Sequence, residues 1–166
     1  MFIFGDIGNS ETKVFLVSSN NRIIKNINFP SNKINEKTLN SKFKILVNDF
    51  KKIRKILFCS VEPRSFSLIK KFLSKKTKVR CYEVKNLNLK SLINIKVNYK
   101  QVGSDRLTNA ISLIDYKNNF IILDFGTATT FDVVINKTYR GGVIAPGIKI
   151  SLNTLSDKAT LIPKVN

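Results

Sequence analysis

The chain has 166 residues, 43% of them apolar, and a formal net charge of +18, which is enough apolar material for one ordinary domain or two small ones and too much for a disordered chain. No apolar run reaches the roughly eighteen residues of a membrane span, and no basic flank with a cleavage site opens the sequence, so a soluble cytoplasmic protein is the expectation. Histidine is absent, which removes the usual zinc sets and the histidine-based nucleophilic triads, and the two cysteines, Cys59 and Cys81, lie in apolar strand-like runs and read as reduced core thiols.

Residues 1–8, 11–18 and 21–29 read as a meander of three antiparallel strands, with Gly8-Asn9 and Asn20-Asn21 supplying the turns. A helix is expected over 36–51, where Leu39, Phe43, Leu46, Val47 and Phe50 recur at three- and four-residue spacing. The run 56–60 reads as a buried strand, Glu62-Pro63 as a turn into a helix over 65–74, and 78–84 as a further strand. Ser104 starts the next helix with Asp105 in its first turn, Leu107, Ala110, Ile111 and Ile114 form its apolar stripe, and Asn118-Asn119 closes it. From Phe120 a strand, a loop at Asp124-Phe125-Gly126-Thr127, a second strand, a turn and a third strand run to Ala145, followed by a helix over 148–155. This order predicts an α/β protein of mixed sheets flanked by helices, in the ribonuclease-H-like manner, with residues 1–117 as one unit and 118–166 as the opening of a second, incomplete one.

The two openings are an internal repeat. Asp6 matches Asp124, Gly8 matches Gly126 and Thr12 matches Thr130, all at an offset of 118 residues. Each is an apolar strand, an Asp, one apolar residue, a Gly and then small hydroxyl-bearing residues entering another strand. Glycine lets backbone approach an anion, its neighbours offer N–H and O–H donors, and an acid at the strand end can hold a cation, so two such loops suit a polyphosphate. Alternation on a strand puts Asp6, Gly8 and Ser10 on one side. Gly-Asn by itself is simply a good hairpin turn; the shared Asp at a fixed offset is what favours the functional reading.

Two further clusters stand out. In Gly103-Ser104-Asp105-Arg106 the Asp is either a helix cap or the carboxylate that aligns a substrate hydroxyl in phosphoryl transfer, and the adjacent guanidinium either pairs with it or helps it clamp a small polar substrate. Gly141-Gly142-Val143-Ile144-Ala145-Pro146-Gly147 is either a strand bounded by turns or a wall against which a nucleotide or substrate rests.

The charge is uneven. Residues 42–100 carry 17 basic and 3 acidic side chains, net +14, leaving +4 elsewhere. Of the 29 cations 23 are Lys, scattered along the chain, and Lys, Asn and Ile make up 63 residues, the excess an A/T-rich genome produces. A solvated basic face is therefore preferred over a polyanion surface, although such a field attracts ATP and other anions.

Taken together, Asp6-Ile7-Gly8-Asn9-Ser10, Gly103-Ser104-Asp105-Arg106, Asp124-Phe125-Gly126-Thr127-Ala128-Thr129-Thr130-Phe131-Asp132 and the Gly141–Gly147 motif resemble the type III pantothenate kinases, of the superfamily of sugar kinases, actin and chaperone ATPases. The resemblance runs over the whole chain, including Ser151–Val165, with the four motifs in the family's order. It implies phosphorylation of a pantothenate hydroxyl by ATP, the first step towards coenzyme A. Asp105 is then the general base. ATP is cradled by Asp6, Ile7, Gly8, Asn9, Ser10, Glu11, Thr12 and Lys13, with Thr127 on the phosphates. Asp6 helps place Mg²⁺, and Asp124 holds the monovalent cation, K⁺ or NH₄⁺. Tyr99, Gly103, Ser104, Asp105 and Arg106 line the pantothenate pocket.

The same resemblance implies a homodimer; the lack of a long apolar run speaks against a membrane, and the few aromatics interleaved with the lysines speak against nucleic acid as partner. The alternative is an inactive or accessory protein of the same fold that binds nucleic acid, motivated by the basic segment. Two departures from the family pattern are evident. The stretch between Tyr99 and Gly103 is shorter, and the family continues well beyond the position of Asn166. The expectation is a fragment, a shortened product or one piece of a protein completed by another chain, with exposed apolar sheet faces, low solubility alone or an unusual dimer.

Overall fold

Alternation decides the first strands. In β1 (Phe2–Ile7) the side chains of Ile3 and Ile7 are fully buried while Asp6 between them is exposed, and in β2 (Glu11–Val17) Thr12, Val14 and Leu16 point inward while Glu11 and Lys13 point out. The chain, seen in a computed structural model that describes residues 1–114, 118–159 and 163, folds as two units: Met1–Leu89 with Gly103–Asp105, and Lys90–Val102 with Arg106–Asn166.

The first unit is built on a five-stranded sheet in the order β3-β2-β1-β4-β5, with β3 at Ile23–Pro30, β4 at Lys55–Ser60 and β5 at Cys81–Glu83. β1 pairs antiparallel with β2, which pairs antiparallel with β3, whereas β1–β4 and β4–β5 are parallel. Helices α1 (Glu36–Leu46) and α2 (Pro63–Lys76) supply Leu39, Phe43, Leu46, Ile69, Phe72 and Leu73 to one core with Ile3, Ile7, Val14, Ile27, Phe29, Ile56 and Phe58. Each such side chain, fully withdrawn from water, contributes about 1.5–3 kcal/mol before conformational entropy is counted. The order of three antiparallel strands, helix, strand, helix, strand is the ribonuclease-H-like arrangement read from the sequence.

Local chemistry sets several boundaries differently from the apolar pattern. α1 stops at Leu46 because Val47 is extended, and Asp49 Oδ1 then accepts from Lys51 N–H at 2.9 Å to cap a separate 3₁₀ turn over Phe50–Lys52. α2 begins two residues earlier than expected: Glu62 caps it, accepting from Arg64 N–H at 3.2 Å and Ser65 N–H at 2.6 Å, with Pro63 in the first turn. The strand expected over 78–84 shrinks to Cys81–Glu83 at the sheet edge.

The second unit holds a four-stranded sheet in the order β6-β9-β8-β7, formed by β6 (Asn94–Ile95), β7 (Phe120–Phe125), β8 (Ala128–Ile135) and β9 (Thr138–Pro146). Here β7–β8–β9 is antiparallel and the two-residue β6, which the sequence pattern did not announce, lies parallel to β9. The β8–β9 turn uses Asn136 and Lys137 at φ 48° and 57°, and Asn119 Oδ1 accepts from Asn136 N–H at 3.1 Å. Helix α3 (Ser104–Ile111) precedes β7, and α4 (Ile148–Lys158) follows β9 and runs three residues past the expected end. α3 ends at Ile111, before Ile114 and Asn118-Asn119, which the sequence pattern placed in and at the end of the helix; residues 115–117 lie outside the described residues.

The ladders also correct the internal repeat. In β1–β2 Thr12 stands opposite Ile7, and in β7–β8 it is Thr129, not Thr130, that stands opposite Phe125. The second hairpin is one residue shorter, so the offset is 118 up to the glycine and 117 beyond it.

Candidate active site

In the first unit the parallel register of β1 and β4 sets Asp6 beside Cys59 and Ile7 beside Ser60, so the loop after β1 and the end of β4 share one edge of the sheet. Val61 N–H donates to Ile7 O at 3.0 Å and ties the two strand ends together. This is the edge where the carboxyl ends of parallel strands open, the usual place for a ligand in such sheets.

Three bonds shape the loop after β1. Gly8 N–H donates to Glu11 O at 3.0 Å, Ser31 N–H donates to Ser10 O at 3.0 Å, and Ser31 Oγ–H donates to Gly8 O at 2.7 Å. With its hydrogen so used, Ser31 Oγ accepts from the Thr12 hydroxyl at 2.8 Å. The Thr12 and Ile7 side chains are therefore turned into the unit and hold the loop from beneath, while Asp6, Asn9, Ser10, Glu11 and Lys13 are exposed on it. Lys13 and Glu11 form a loose pair at 3.8 Å, both about half exposed.

The start of α3 reaches the same edge. Ser104 is 1% exposed; its Oγ accepts from Ser60 N–H at 2.8 Å, donates to Ser60 O at 2.9 Å and lies 3.4 Å from Cys59 Sγ. Ser104 is thus the clamp that seats the helix on β4, next to the strand carrying Asp6. Asp105, partly exposed, follows it, and Gly103 makes room for that carboxylate, because a Cβ at 103 would run into Asp105 Oδ1. The structure therefore brings Asp6, the loop at residues 8–13 and Gly103-Ser104-Asp105 to one edge of one sheet. Hydrogen bonds from Ser65 hold the neighbouring Glu62 carboxyl below its ordinary value against the opposing effect of burial, so Glu62 stays an anionic cap.

The second unit places the remaining residues. Asp124, partly buried at the end of β7, accepts at Oδ2 from Asn109 Nδ2 at 3.1 Å. Thr127 is exposed in the hairpin, which Gly126 N–H closes by donating to Ala128 O at 2.9 Å. Gly147 N–H donates to Thr127 O at 3.1 Å, and a Cβ at 147 would strike Gly126 O, so the last glycine of the Gly141–Gly147 motif lets the end of β9 close against this loop. Tyr99 is half-buried in a 3₁₀ turn over Tyr99–Gln101. Arg106 is 9% exposed, and its guanidinium meets Asp132: Nε donates to both Asp132 oxygens at 2.9 and 3.1 Å, with Nη2 2.6 Å from Oδ1.

Sequence reasoning quoted Asp132 within a motif but gave it no role, and passed over Ser31, Ser60 and Tyr139. A signal existed for Asp132: a lone acid on the inward side of β8, in line with Thr130 and Val134, must be paired if buried. The serines carried none, because their partners are backbone groups brought close only by folding.

The sequence model described as Type III pantothenate kinase matches residues 2–166. A type III pantothenate kinase of Pelagibacter ubique is 60% identical over 166 residues, covering all of this chain and 67% of that protein. The chain belongs to the type III pantothenate kinase family. A second type III pantothenate kinase, from Citrifermentans bemidjiense, is 34% identical over 177 residues and is covered to 68%. This pantothenate kinase chain thus spans about two thirds of the curated relatives it matches. In fold it is similar to the Ppx/GppA phosphatase of Aquifex aeolicus, with a TM-score of 0.51 at 12% identity over 93% of this chain and 55% of that one.

Proposed function

We propose that the protein transfers the γ-phosphoryl group of ATP to the hydroxyl of pantothenate, giving 4'-phosphopantothenate and ADP, the first step of coenzyme A biosynthesis. The observation that carries this is the seat of Asp105. Its carboxylate stands at the start of a helix clamped to β4, over a glycine that leaves it space, on the sheet edge that also presents Asp6 and the Gly8 loop. There Asp105 accepts the proton of the pantothenate hydroxyl, the oxygen attacks the γ-phosphorus, and the bond to the ADP oxygen breaks. Transfer of this kind depends chiefly on alignment and neutralised charge.

Asp6, Ile7, Gly8, Asn9, Ser10, Glu11, Thr12 and Lys13 form the ATP loop in this reading. Asp6, Asn9, Ser10 and Lys13 are its exposed face, and Ile7 and Thr12 its buried support. Thr127, exposed on the shorter hairpin, contacts phosphate. Pantothenate lies against Tyr99 and Gly103-Ser104-Asp105-Arg106, with Ser104 and Arg106 as frame, since Ser104 Oγ is bonded to Ser60 and Arg106 Nε to Asp132.

Among the described residues no group of three acidic, Cys or His side chains is placed to hold a metal by itself. A single exposed carboxylate such as Asp6 fits Mg²⁺, which keeps its waters and takes substrate phosphate oxygens in addition. Asp124, whose Oδ2 is engaged by Asn109, offers one carboxylate edge to K⁺ or NH₄⁺. Mg²⁺ held at Asp6 would supply neutralisation of phosphate charge. Family likeness is the ground for a homodimer and for the cytoplasm; among the described residues no helix is long and apolar enough to cross a membrane.

The test is a coupled ADP-release assay with ATP, Mg²⁺, K⁺ and pantothenate. Turnover should require pantothenate, and Asp105→Asn should lower it by about 10²–10⁴-fold with an unchanged circular dichroism spectrum. Equal rates for the two proteins, or ADP release independent of pantothenate, overturn the reading.

A further inference from the structure

The second unit contains a buried ionic cluster that the phosphoryl-transfer chemistry does not use directly. Asp132 is fully buried in β8, and its carboxylate receives three polar groups: Arg106 Nε at 2.9 and 3.1 Å, Arg106 Nη2 at 2.6 Å and the hydroxyl of Tyr139, itself fully buried, at 2.6 Å. Tyr139 stands opposite Val134 on β9, so two neighbouring strands each send one side chain to the same guanidinium–carboxylate pair. A charge pair withdrawn from water adds little net stability over an apolar replacement, whereas a guanidinium Nε bridging both carboxylate oxygens restricts where the Arg106 side chain can lie. What this pair fixes is the residue after Asp105, in the first turn of α3.

We propose that Asp132 and Tyr139 are positioning residues for the transfer reaction, acting through Arg106 to set the direction of the Asp105 carboxylate. This rests on the kinase reading above. One helical residue turns the side-chain direction by about 100°. With Arg106 Nε held by both Asp132 oxygens, the Arg106 side chain is tethered to β8, and the first turn of α3 that also carries Asp105 is tethered with it. Gly103 leaves the Asp105 carboxylate the space a Cβ would otherwise fill. Loosening Arg106 lets the first turn rock, and displacements on the order of 1 Å in a reacting group cost about a hundredfold in rate.

Tyr139→Phe keeps shape and volume and removes one bond to Asp132. We expect kcat to fall about tenfold or more while the KM for ATP is unchanged and the melting temperature moves little. In hydrogen exchange, the amides of Thr108–Ile111, which depend on the first turn of α3, should lose protection relative to wild type while those of α1 and α2 keep theirs. Arg106→Lys, which retains charge but not the two-point grip, should show the same pattern more strongly. Asp132→Asn is the weaker variant, because it leaves a buried guanidinium without its counter-charge and risks unfolding. Wild-type kcat in Tyr139→Phe, or a kcat loss without any change in α3 protection, overturns the proposal while leaving the kinase reading standing. If the wild-type protein shows no pantothenate-dependent turnover, the kinase reading and the positioning role fall together; α3 exchange that is the same in both proteins, with wild-type turnover present, removes the positioning role alone.

Discussion

Single residues in this chain hold the site by shape as much as by charge. Gly103 is the clearest case, because any side chain there competes with the Asp105 carboxylate for one volume. Gly103→Ala should therefore reduce turnover by about tenfold or more with a melting temperature close to wild type; a fully active Ala variant would show that the carboxylate has another productive position. Glu62 acts through its charge. Its pKa lies below the ordinary 4.5, chiefly through hydrogen bonds from Ser65, so the native state binds fewer protons than the unfolded chain at mildly acid pH. The cap's contribution is complete above 4.5 and drains away as the pH falls through the lowered native value. Glu62→Gln should then flatten the acid limb of a stability-versus-pH curve below that point, measured by urea melts, and leave the neutral region lower by about 1 kcal/mol or less. An identical acid limb in the two proteins would remove this role. Cys81 behaves oppositely: burial pushes its thiol up to about 12 despite the nearby Lys70, so the folded chain should resist alkylation at that position at pH 8 and react when unfolded.

Elements were legible in the sequence where turn residues or the repeat marked them. β1 and β2 were read from the turn at Gly8-Asn9, α2 from the turn at Glu62-Pro63 and β7–β9 from the repeated strand–Asp–Gly pattern, and the structure keeps them to within a few residues. The misses have local causes. The expected helix over 36–51 ignored that Asp49 makes a better 3₁₀ cap than a helix-interior residue, and β6 is two residues whose only reason is a parallel neighbour distant in sequence. The repeat was visible through its Asp and Gly, but the equivalence of Thr12 with Thr129 was hidden because hairpin length is set by backbone bonds, not by residue type. The candidate site was half legible for a similar reason. Asp6, Asp105 and Asp124 announce themselves as acids at strand or helix ends, whereas the Thr12–Ser31–Gly8 chain joins a threonine, a serine and a carbonyl across more than 20 residues of sequence. That chain gives its own prediction at the scale of the β1–β2 hairpin. Ser31→Ala leaves the Thr12 hydroxyl and Gly8 carbonyl without their partner in a buried place, at a cost of about 1–3 kcal/mol. The KM for ATP should rise more than kcat falls; a variant with reduced stability and an unchanged KM would mean that the loop's shape does not matter for nucleotide.

At the scale of the whole molecule the two sheets differ in how one equivalent face is treated. In the first unit, Ile3, Ile7, Val14 and Ile27 lie beneath α1 and α2 at 7% exposure or less. By ladder register their counterparts are Ile121, Phe125, Phe131 and Val143, and these are 68%, 63%, 37% and 65% exposed. The contrast is physical, since the same row of apolar side chains is core in one sheet and surface in the other. Among the described residues β7 is moreover an edge strand, so its apolar face adjoins a row of backbone groups that none of the described strands pairs with. Large contiguous apolar patches of this kind drive association. We therefore expect the 166-residue chain to sediment as concentration-dependent assemblies. Ile121→Lys with Val143→Lys should shift it towards monomer, because both positions accept a long charged side chain without disturbing the core of the first unit. The decisive comparison is sedimentation velocity across a hundredfold range of concentration. If wild type and double variant give the same concentration-independent coefficient, the exposed face is inert and the net charge of +18 is sufficient to keep copies apart.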